Sequence, residues 1–550
     1  MNKNQTVGEY LIEQLYVHGI RDIFGIPGDY VLGVYDLLEK SKIRVINTSD
    51  EQGAGFAADA YARIKGIGAV CITYCVGGLK IANTTAQAFA EKSPVIVISG
   101  SPGLSEREKN PLLHHKVRNF DTQKKIFEEL TTASTVIENL HTAMSEIDRV
   151  IHAVENHKLP GYIEIPRDMV NLVIDPSYRH QDIKVESDKD ILAEAVEESV
   201  SMIKAAKQPV LLAGIELHRF GLQATFLEFV EKFKIPFAST IMNKSVFAES
   251  HPYYLGVYEG SLGHDKVCSY VESSDCILML GAMMTDFNLG LFSAQLNPKK
   301  TILANKNKVA IKYHNFEDIK LEDYLAELLF ANIEPSVKND FPRPDKPEDF
   351  KPAASKKITM KRLFQKLNFV LEKNMVLLPE IGEALFGSID LYMEHGNPLI
   401  ASGYYSSMGF SIPGALGVQI ANKKLRPLVL VGDGAFQMTG VELSSIARYG
   451  LNPIVVILNN EGYGTERPMM DGAFNDLYPW NFGAMTQLLG TGKSFDVHAE
   501  DELEQALDAA LAYEESFSLI DVHLDVEDRT PVMERLTARL AERIKKKTEN

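Results

Sequence analysis

Residues 428–460 constrain the fold more tightly than any other stretch of the chain. An apolar run, Leu428 to Val431, opens into Gly432-Asp433-Gly434. A helical stretch follows, and a second apolar run, Pro453 to Leu458, ends in Asn459-Asn460-Glu461-Gly462. Strand, turn, helix and strand in that order make one βαβ unit. Its crossover sets the two strands parallel and puts Asp433 and Asn460 just past their carboxyl ends, the edge at which open α/β sheets bind ligands. A carboxylate, an amide oxygen and glycine backbone there suit a hard divalent cation such as Mg²⁺ bridging phosphate oxygens. Gly432 and Gly434 let the backbone approach a diphosphate, and a helix starting after Gly434 favours its charge. Thr439 with Glu442 predicts a capping box for the helix body. Gly-Asp-Gly and Asn-Asn are each ordinary turn sequences, and the specificity lies in their pairing behind two apolar strands.

At 550 residues the chain is too long for one core, and three domains are the expected division. Short apolar runs alternate with amphipathic stretches throughout, which predicts α/β units with mostly parallel sheets. Two polar stretches mark the joints, Asp175 to Asp188 and the Pro-, Lys- and Asp-rich Glu334 to Lys357. The expected domains are 1–180, 189–335 and 356–550. A formal net charge of −17 disfavours nucleic acid and anionic membrane as partners. No signal-peptide core follows Met1 and no apolar run has the length of a membrane span, so a cytoplasmic location is expected. Cys71 and Cys75 lie in an apolar, strand-like segment, which predicts buried free thiols. The middle third opens on a strand at Pro209 to Gly214 without a G-x-G-x-x-G after it, so neither flavin nor nicotinamide is expected.

The first third begins with a capping box, Thr6 with Glu9, on a helix carrying Val7, Leu11 and Leu15 and ended by Gly19. A strand over Asp22 to Ile26 closes on Pro27-Gly28-Asp29. A second, Arg44 to Asn47, precedes Ser49-Asp50-Glu51-Gln52 and an alanine-rich helix running to Arg63. On the residues alone, Ser49 and Gln52 form a capping box, and Glu51 is an acid placed to favour the helix dipole. His114-His115, being adjacent, cannot share one helix face and reads as part of a polar loop.

Together these motifs resemble the thiamine-diphosphate (ThDP)-dependent 2-keto-acid decarboxylases, in the branch of pyruvate, indolepyruvate and branched-chain keto-acid decarboxylases. The resemblance runs from Thr6 to the terminal helix. It implies an α/β fold of three open, mostly parallel-sheet domains: pyrimidine-binding, structural, and diphosphate- and Mg²⁺-binding with a C-terminal helix. By resemblance the metal ligands are Asp433, Asn460 and the carbonyl of Gly462. Glu51 holds N1′ of the aminopyrimidine and favours the imino tautomer, whose exocyclic nitrogen takes the proton from the thiazolium C2. Asp29, His114 and His115 relay protons, and Glu466, at the end of Asn460-Glu461-Gly462-Tyr463-Gly464-Thr465-Glu466, assists decarboxylation. Gly382, Ser406, Met408, Gly432 and Gly434 complete the cofactor site, with Met408 as the wedge under the bent cofactor and the Ser406 carbonyl facing N4′.

Four positions depart from the family pattern. Ile381 stands where relatives have Thr or Gln, Leu385 where a Trp or Phe narrows the substrate pocket, and Thr465 where Ile or Val precedes the catalytic Glu. Met408 replaces Ile in the wedge. With Phe287 facing the same space, Ile381, Leu385 and Thr465 form the expected substrate pocket, closed by a terminal helix carrying Leu536, Leu540 and Ile544 with Lys545 to Lys547 at its end. The implied reaction is non-oxidative decarboxylation of a 2-keto acid to aldehyde and CO₂ through a ThDP ylid and enamine. The expected substrate is a medium-length, branched or aryl 2-keto acid rather than pyruvate. The alternatives are a ThDP-dependent carboligase or lyase on the same scaffold and a non-catalytic ThDP-binding protein. The resemblance further implies a homodimer or homotetramer with active sites shared between subunits.

Overall fold

The computed structural model describes residues 5–179, 185–335 and 340–548, with side chains of the last helix described to residue 541. The predicted joints and the positions Ile544 and Lys545 to Lys547 fall partly or wholly outside these limits. Three sheets follow one another along the chain. The first comprises β1 (Asp22–Gly25), β2 (Arg44–Asn47), β3 (Gly68–Ile72), β4 (Val95–Ser101), β5 (Ala133–Val136) and β6 (Gly161–Pro166). Its order is β2-β1-β3-β4-β6-β5, parallel throughout.

The second sheet takes β7 (Pro209–Ala213), β8 (Phe237–Ser239), β9 (Tyr254–Val257), β10 (Cys276–Leu280), β11 (Thr301–Asn305), β12 (Lys308–Ile311) and β13 (His314–Glu317). Its order is β13-β12-β11-β10-β7-β8-β9, parallel except that β12 runs antiparallel to both β11 and β13 at one edge. The third is β14 (Met375–Pro379), β15 (Arg426–Gly432), β16 (Ile454–Asn459), β17 (Lys493–Val497) and β18 (Ser518–His523), in the order β14-β15-β16-β18-β17 and all parallel. Helices cover both faces, so β4, β10 and β14 are buried at every position, and β10 and β14 read in sequence as unbroken apolar runs. Cys71 and Cys75 are free and buried, as expected. No helix among the described residues is long and apolar enough to cross a membrane.

The βαβ unit forms, with Gly432 of β15 opposite Leu458 of β16. Its helix starts at Asp433, with Gly432 as the cap, rather than after Gly434. It is broken into Asp433–Thr439, a 3₁₀ turn Gly440–Glu442 and Leu443–Arg448. The predicted Thr439–Glu442 capping box is absent because both side chains have tertiary partners. Thr439 donates through Oγ1 to the Gly409 carbonyl at 2.8 Å. The Glu442 carboxylate accepts from the backbone N–H groups of Ser49 and Asp50 at 3.1 Å. The same contact displaces the box predicted at Ser49 and Gln52. Asp50 is the cap, accepting from Gln52 N–H at 2.8 Å, while Ser49 Oγ lies 2.8 Å from Ser444 Oγ. The Thr6–Glu9 box does form, and its helix, Val7–Val17, stops just before Gly19.

The helix that begins at Glu51 runs to Lys65 and packs along the helix Ser411–Ala421 of the third domain. The two come close enough that a Cβ on Gly417 would stand 2.1 Å from the Ala57 carbonyl oxygen, so only glycine fits there. One apolar core runs through this contact, from Phe24 and Phe56 to Phe410, Leu416 and Phe436. Buried Arg63 ties it down, pairing with Asp59 at 2.8 Å and donating to the Ala401 carbonyl at 2.6 Å. The first and third sheets are thereby held in fixed relation within one chain.

Candidate active site

The carboxyl ends of β14, β15 and β16 meet at a cavity of about 310 Å³. Its polar end is built from the turns that leave those strands: Gly382 after β14, Gly432, Asp433 and Gly434 after β15, and Asn460 and Gly462 after β16. Asp433 is buried, with Oδ1 accepting from Gly434 N–H at 2.8 Å and Oδ2 from Gly462 N–H at 3.0 Å. Burial pushes its carboxyl up to about 6, against the pull of these backbone donors. A cation at the mouth of this turn would supply the charge that burial withholds. The Asn460 amide, also buried, makes no hydrogen bond to another described residue. Gly464 leaves it room, since a Cβ there would stand 2.3 Å from Asn460 Nδ2. The Gly462 carbonyl accepts from Gly464 N–H at 3.0 Å and keeps a second lone pair. This donor set, all oxygen, fits a hard cation and a diphosphate.

The other end of the cavity is apolar. Phe287 and Phe386 meet edge to face with ring centroids 5.4 Å apart, beside Ile381 and under Leu536 and Leu540 of the helix Pro531–Thr548. Glu383 joins this roof to the floor: it accepts from the Thr530 N–H at 3.1 Å and from its hydroxyl at 2.9 Å. Its burial pushes the carboxyl up to about 7. Thr465 and Glu466 line the cavity from the turn after β16, and Ser406 and Met408 from the loop before Ser411. Ser406 sits at φ +60, a strained backbone for a non-glycine residue. The first domain supports this loop, as the Tyr404 and Tyr405 N–H groups donate to Glu91 at 2.7 and 2.9 Å.

Leu385 is not in this cavity. On the helix Glu383–Ile389 adjacent side chains diverge by roughly 100°. Phe386 therefore faces the cavity, while Leu385 faces a separate one with Arg63, Glu91 and Arg219. The expectation that Leu385 lines this cavity is corrected: the residue of this helix that faces it with an aromatic ring is Phe386, one position later. A helical projection of residues 383–389 could have separated the two. Glu442 was read only as a helix cap and Glu91 not at all, because what fixes their roles lies hundreds of residues away.

The remaining expected residues gather at the carboxyl edge of the first sheet. Asp29 follows β1, and its Oδ2 lies 2.8 Å from His114 Nε2. The Tyr30 ring stacks on His114 at 4.7 Å, and the His115 ring meets His114 edge to face at 4.8 Å. Asp29 and His114 are exposed, whereas His115 Nδ1 is buried without a hydrogen-bond partner among the described residues. Glu51 opens its helix near the end of β2, 2.8 Å from Lys80 Nζ. None of these four residues lines the Asp433 cavity of the same chain.

Comparison with known proteins agrees with this layout. Residues 5–126 match the N-terminal TPP binding domain of thiamine pyrophosphate enzymes, 196–329 their central domain and 385–522 their C-terminal TPP binding domain. The chain is 35% identical over 524 residues to an indole-3-pyruvate decarboxylase of Azospirillum brasilense, covering 94% of each. It is 32% identical to a probable pyruvate decarboxylase, Pdc101, of Schizosaccharomyces pombe, covering 96% of this chain and 95% of that one. With an alpha-keto-acid decarboxylase of Mycobacterium leprae it shares 29% identity over 97% of its own length and 95% of the relative's. Fold, site and sequence together make the chain a member of the ThDP-dependent 2-keto-acid decarboxylase family, and so a ThDP-dependent decarboxylase.

Proposed function

We propose that this decarboxylase acts on 2-keto acids with an apolar side chain of medium length, branched or aryl, in preference to pyruvate. The observation that carries this is one cavity with two chemically distinct ends, polar backbone and Asp433 at one, Phe287, Phe386, Leu536 and Leu540 at the other. An aryl or branched chain buries more apolar area against that end than a methyl group does. The name of the Azospirillum brasilense relative carries an aryl-substituted keto acid, and that class comes over here as part of the proposal.

ThDP supplies a nucleophilic carbon and an electron sink once bound. Mg²⁺ would be held by Asp433, Asn460 and the Gly462 carbonyl, and would supply positive charge for the cofactor's diphosphate. Glu51 would hold the proton on the aminopyrimidine ring, and Met408 and Ser406 would fix the cofactor's bend. Glu466, Asp29, His114 and His115 would move protons to and from the reacting atoms. Loss of CO₂ is favoured where water is excluded, which the Leu536–Leu540 roof provides.

Because Glu51, Asp29, His114 and His115 stand outside the cavity of their own chain, we assign them to the cavity of a second copy. Exposed apolar side chains flank both halves, Leu112 and Val117 near the histidines and Met470, Phe474, Tyr478 and Leu488 in the third domain. Apolar surface of this kind marks an interface. The functional unit is thus a homodimer or a homotetramer built from such dimers. The four cysteines are free, which fits the reducing cytoplasm.

The test is release of CO₂ and aldehyde from a graded series of 2-keto acids, with and without ThDP and Mg²⁺. Cofactor-dependent, stoichiometric aldehyde, fastest with branched or aryl substrates, is expected. Fastest turnover of pyruvate would refute the substrate assignment, and CO₂ without matching aldehyde would point to carboligation instead.

A further inference from the structure

Outside the catalytic cavity, one cluster of metal-ligating side chains stands at the far edge of the third sheet. β17 and β18 are parallel neighbours, and Asp496 lies directly opposite Asp521. Side chains two residues apart on a strand share a face. Asp496 and His498 therefore project beside Asp521 and His523, giving two carboxylates and two imidazoles at adjoining corners on one face. Ligand atoms of Asp496, His498 and His523 all lie within 4.8 Å of one another. His523 Nε2 is 2.6 Å from Asp496 Oδ1 and 3.6 Å from Asp521 Oδ2, and His498 Nε2 is 3.4 Å from Asp496 Oδ2.

We propose that Asp496, His498 and His523, flanked by Asp521, form a binding site for a divalent transition metal of the zinc class. Ligands about 2.1 Å from a tetrahedral ion stand about 3.4 Å apart. The Asp496–His498 distance is already close to that value, the Asp496–His523 contact is a direct hydrogen bond that an ion would replace, and the flanking Asp521 stands 3.6 Å from His523. The imidazoles stack at 4.1 Å with planes 10° apart, so binding tilts the two rings towards the carboxylates. His498 is well exposed and His523 partly so, which leaves room for that movement. Asp521 is nearly buried and held by Asn459 Nδ2, which donates to its Oδ1 at 2.9 Å. Such an outer contact fixes a carboxylate's orientation towards a metal. Mixed nitrogen and oxygen donors distinguish this site from the all-oxygen set at Asp433 and favour zinc, or cobalt as its spectroscopic substitute, over Mg²⁺. An ion here would clamp the edge strand β17 to β18.

The chain holds a second Asp-His-His group, Asp29, His114 and His115, so the test must tell the two apart. Zinc binding to the full chain is measured by equilibrium dialysis in the presence of ThDP and excess Mg²⁺, which occupies the hard site. Co²⁺ absorption reports the geometry. The expected result is zinc bound at micromolar concentration with tetrahedral Co²⁺ bands. One equivalent should be lost in His498→Ala/His523→Ala and kept in His114→Ala/His115→Ala. Asp496→Asn, which preserves shape, should weaken binding by at least about tenfold. The proposal is overturned if the wild-type chain binds no zinc, if His498→Ala/His523→Ala binds as the wild type does, or if the loss follows His114 and His115 instead.

Discussion

The first and third domains put their chemistry at the same edge of the same kind of sheet, yet only one of the two edges is closed. In the third domain Asp433 and Asn460 sit almost wholly buried, at one end of a cavity whose other end is roofed by the terminal helix. In the first, Asp29 and His114 stand 43% and 58% exposed at the side chain, and Glu51 faces a lysine rather than a cavity. A parallel sheet offers a ligand edge wherever its strands end. What differs is the cover: a helix of the same chain over one edge and, among the described residues, none over the other. On the proposed function, the open edge is a half-site that a second copy covers.

Substitutions on either edge can break this contrast. Glu51→Gln is expected to have the largest effect, lowering turnover by about 10²–10⁴-fold. Calorimetry should find its affinity for ThDP with Mg²⁺ little changed, because Glu51 is not part of the diphosphate turn. Loss of cofactor affinity along with turnover would show that the two edges are not separate parts. Asp433→Asn should do the reverse, weakening ThDP binding at fixed Mg²⁺ by on the order of 10³-fold, as expected for a direct metal ligand.

Burial at the closed edge carries a pH signature. Glu383 is raised from the ordinary 4.5 to about 7 by burial in the folded chain. The folded state therefore keeps a proton that the unfolded chain gives up. The sign is that of a raised group: its contribution is full below about pH 4.5 and is lost as pH rises through about 7. The span corresponds to at most about 3 kcal/mol. Glu383→Gln cannot ionise, so its unfolding free energy should fall less steeply between about pH 5 and pH 8 than that of the wild type. An unchanged slope in denaturant titrations would remove Glu383 from the account. The smallest effect is expected at the apolar end, where Phe386→Ala should shift kcat/KM by about tenfold towards bulkier 2-keto acids. An unchanged profile would mean that Phe386 does not bound the substrate.

The contrast also explains what could be read from the sequence. The third-domain unit was legible because its signal is local: two apolar strands, two turns and a helix within residues 428–460. β2 fell on the predicted residues for the same reason. The Thr6–Glu9 box was legible because nothing distant competes for it. The boxes predicted at Ser49 and Thr439 failed together, since Glu442 and the residues around Ser49 satisfy each other across hundreds of residues. Leu385 was misplaced because a family motif gives position along the chain, whereas the pocket depends on which side of a helical turn a residue faces.

The most direct test of the pairing is complementation between two inactive chains, Glu51→Gln and Glu466→Gln. If Glu51 of one subunit serves the Glu466 cavity of the other, each mixed dimer contains one intact site and one doubly altered one. Random mixing should then restore about a quarter of wild-type activity. If both residues act within one chain, every site carries one lesion, and verified mixed dimers would stay as inactive as their parents.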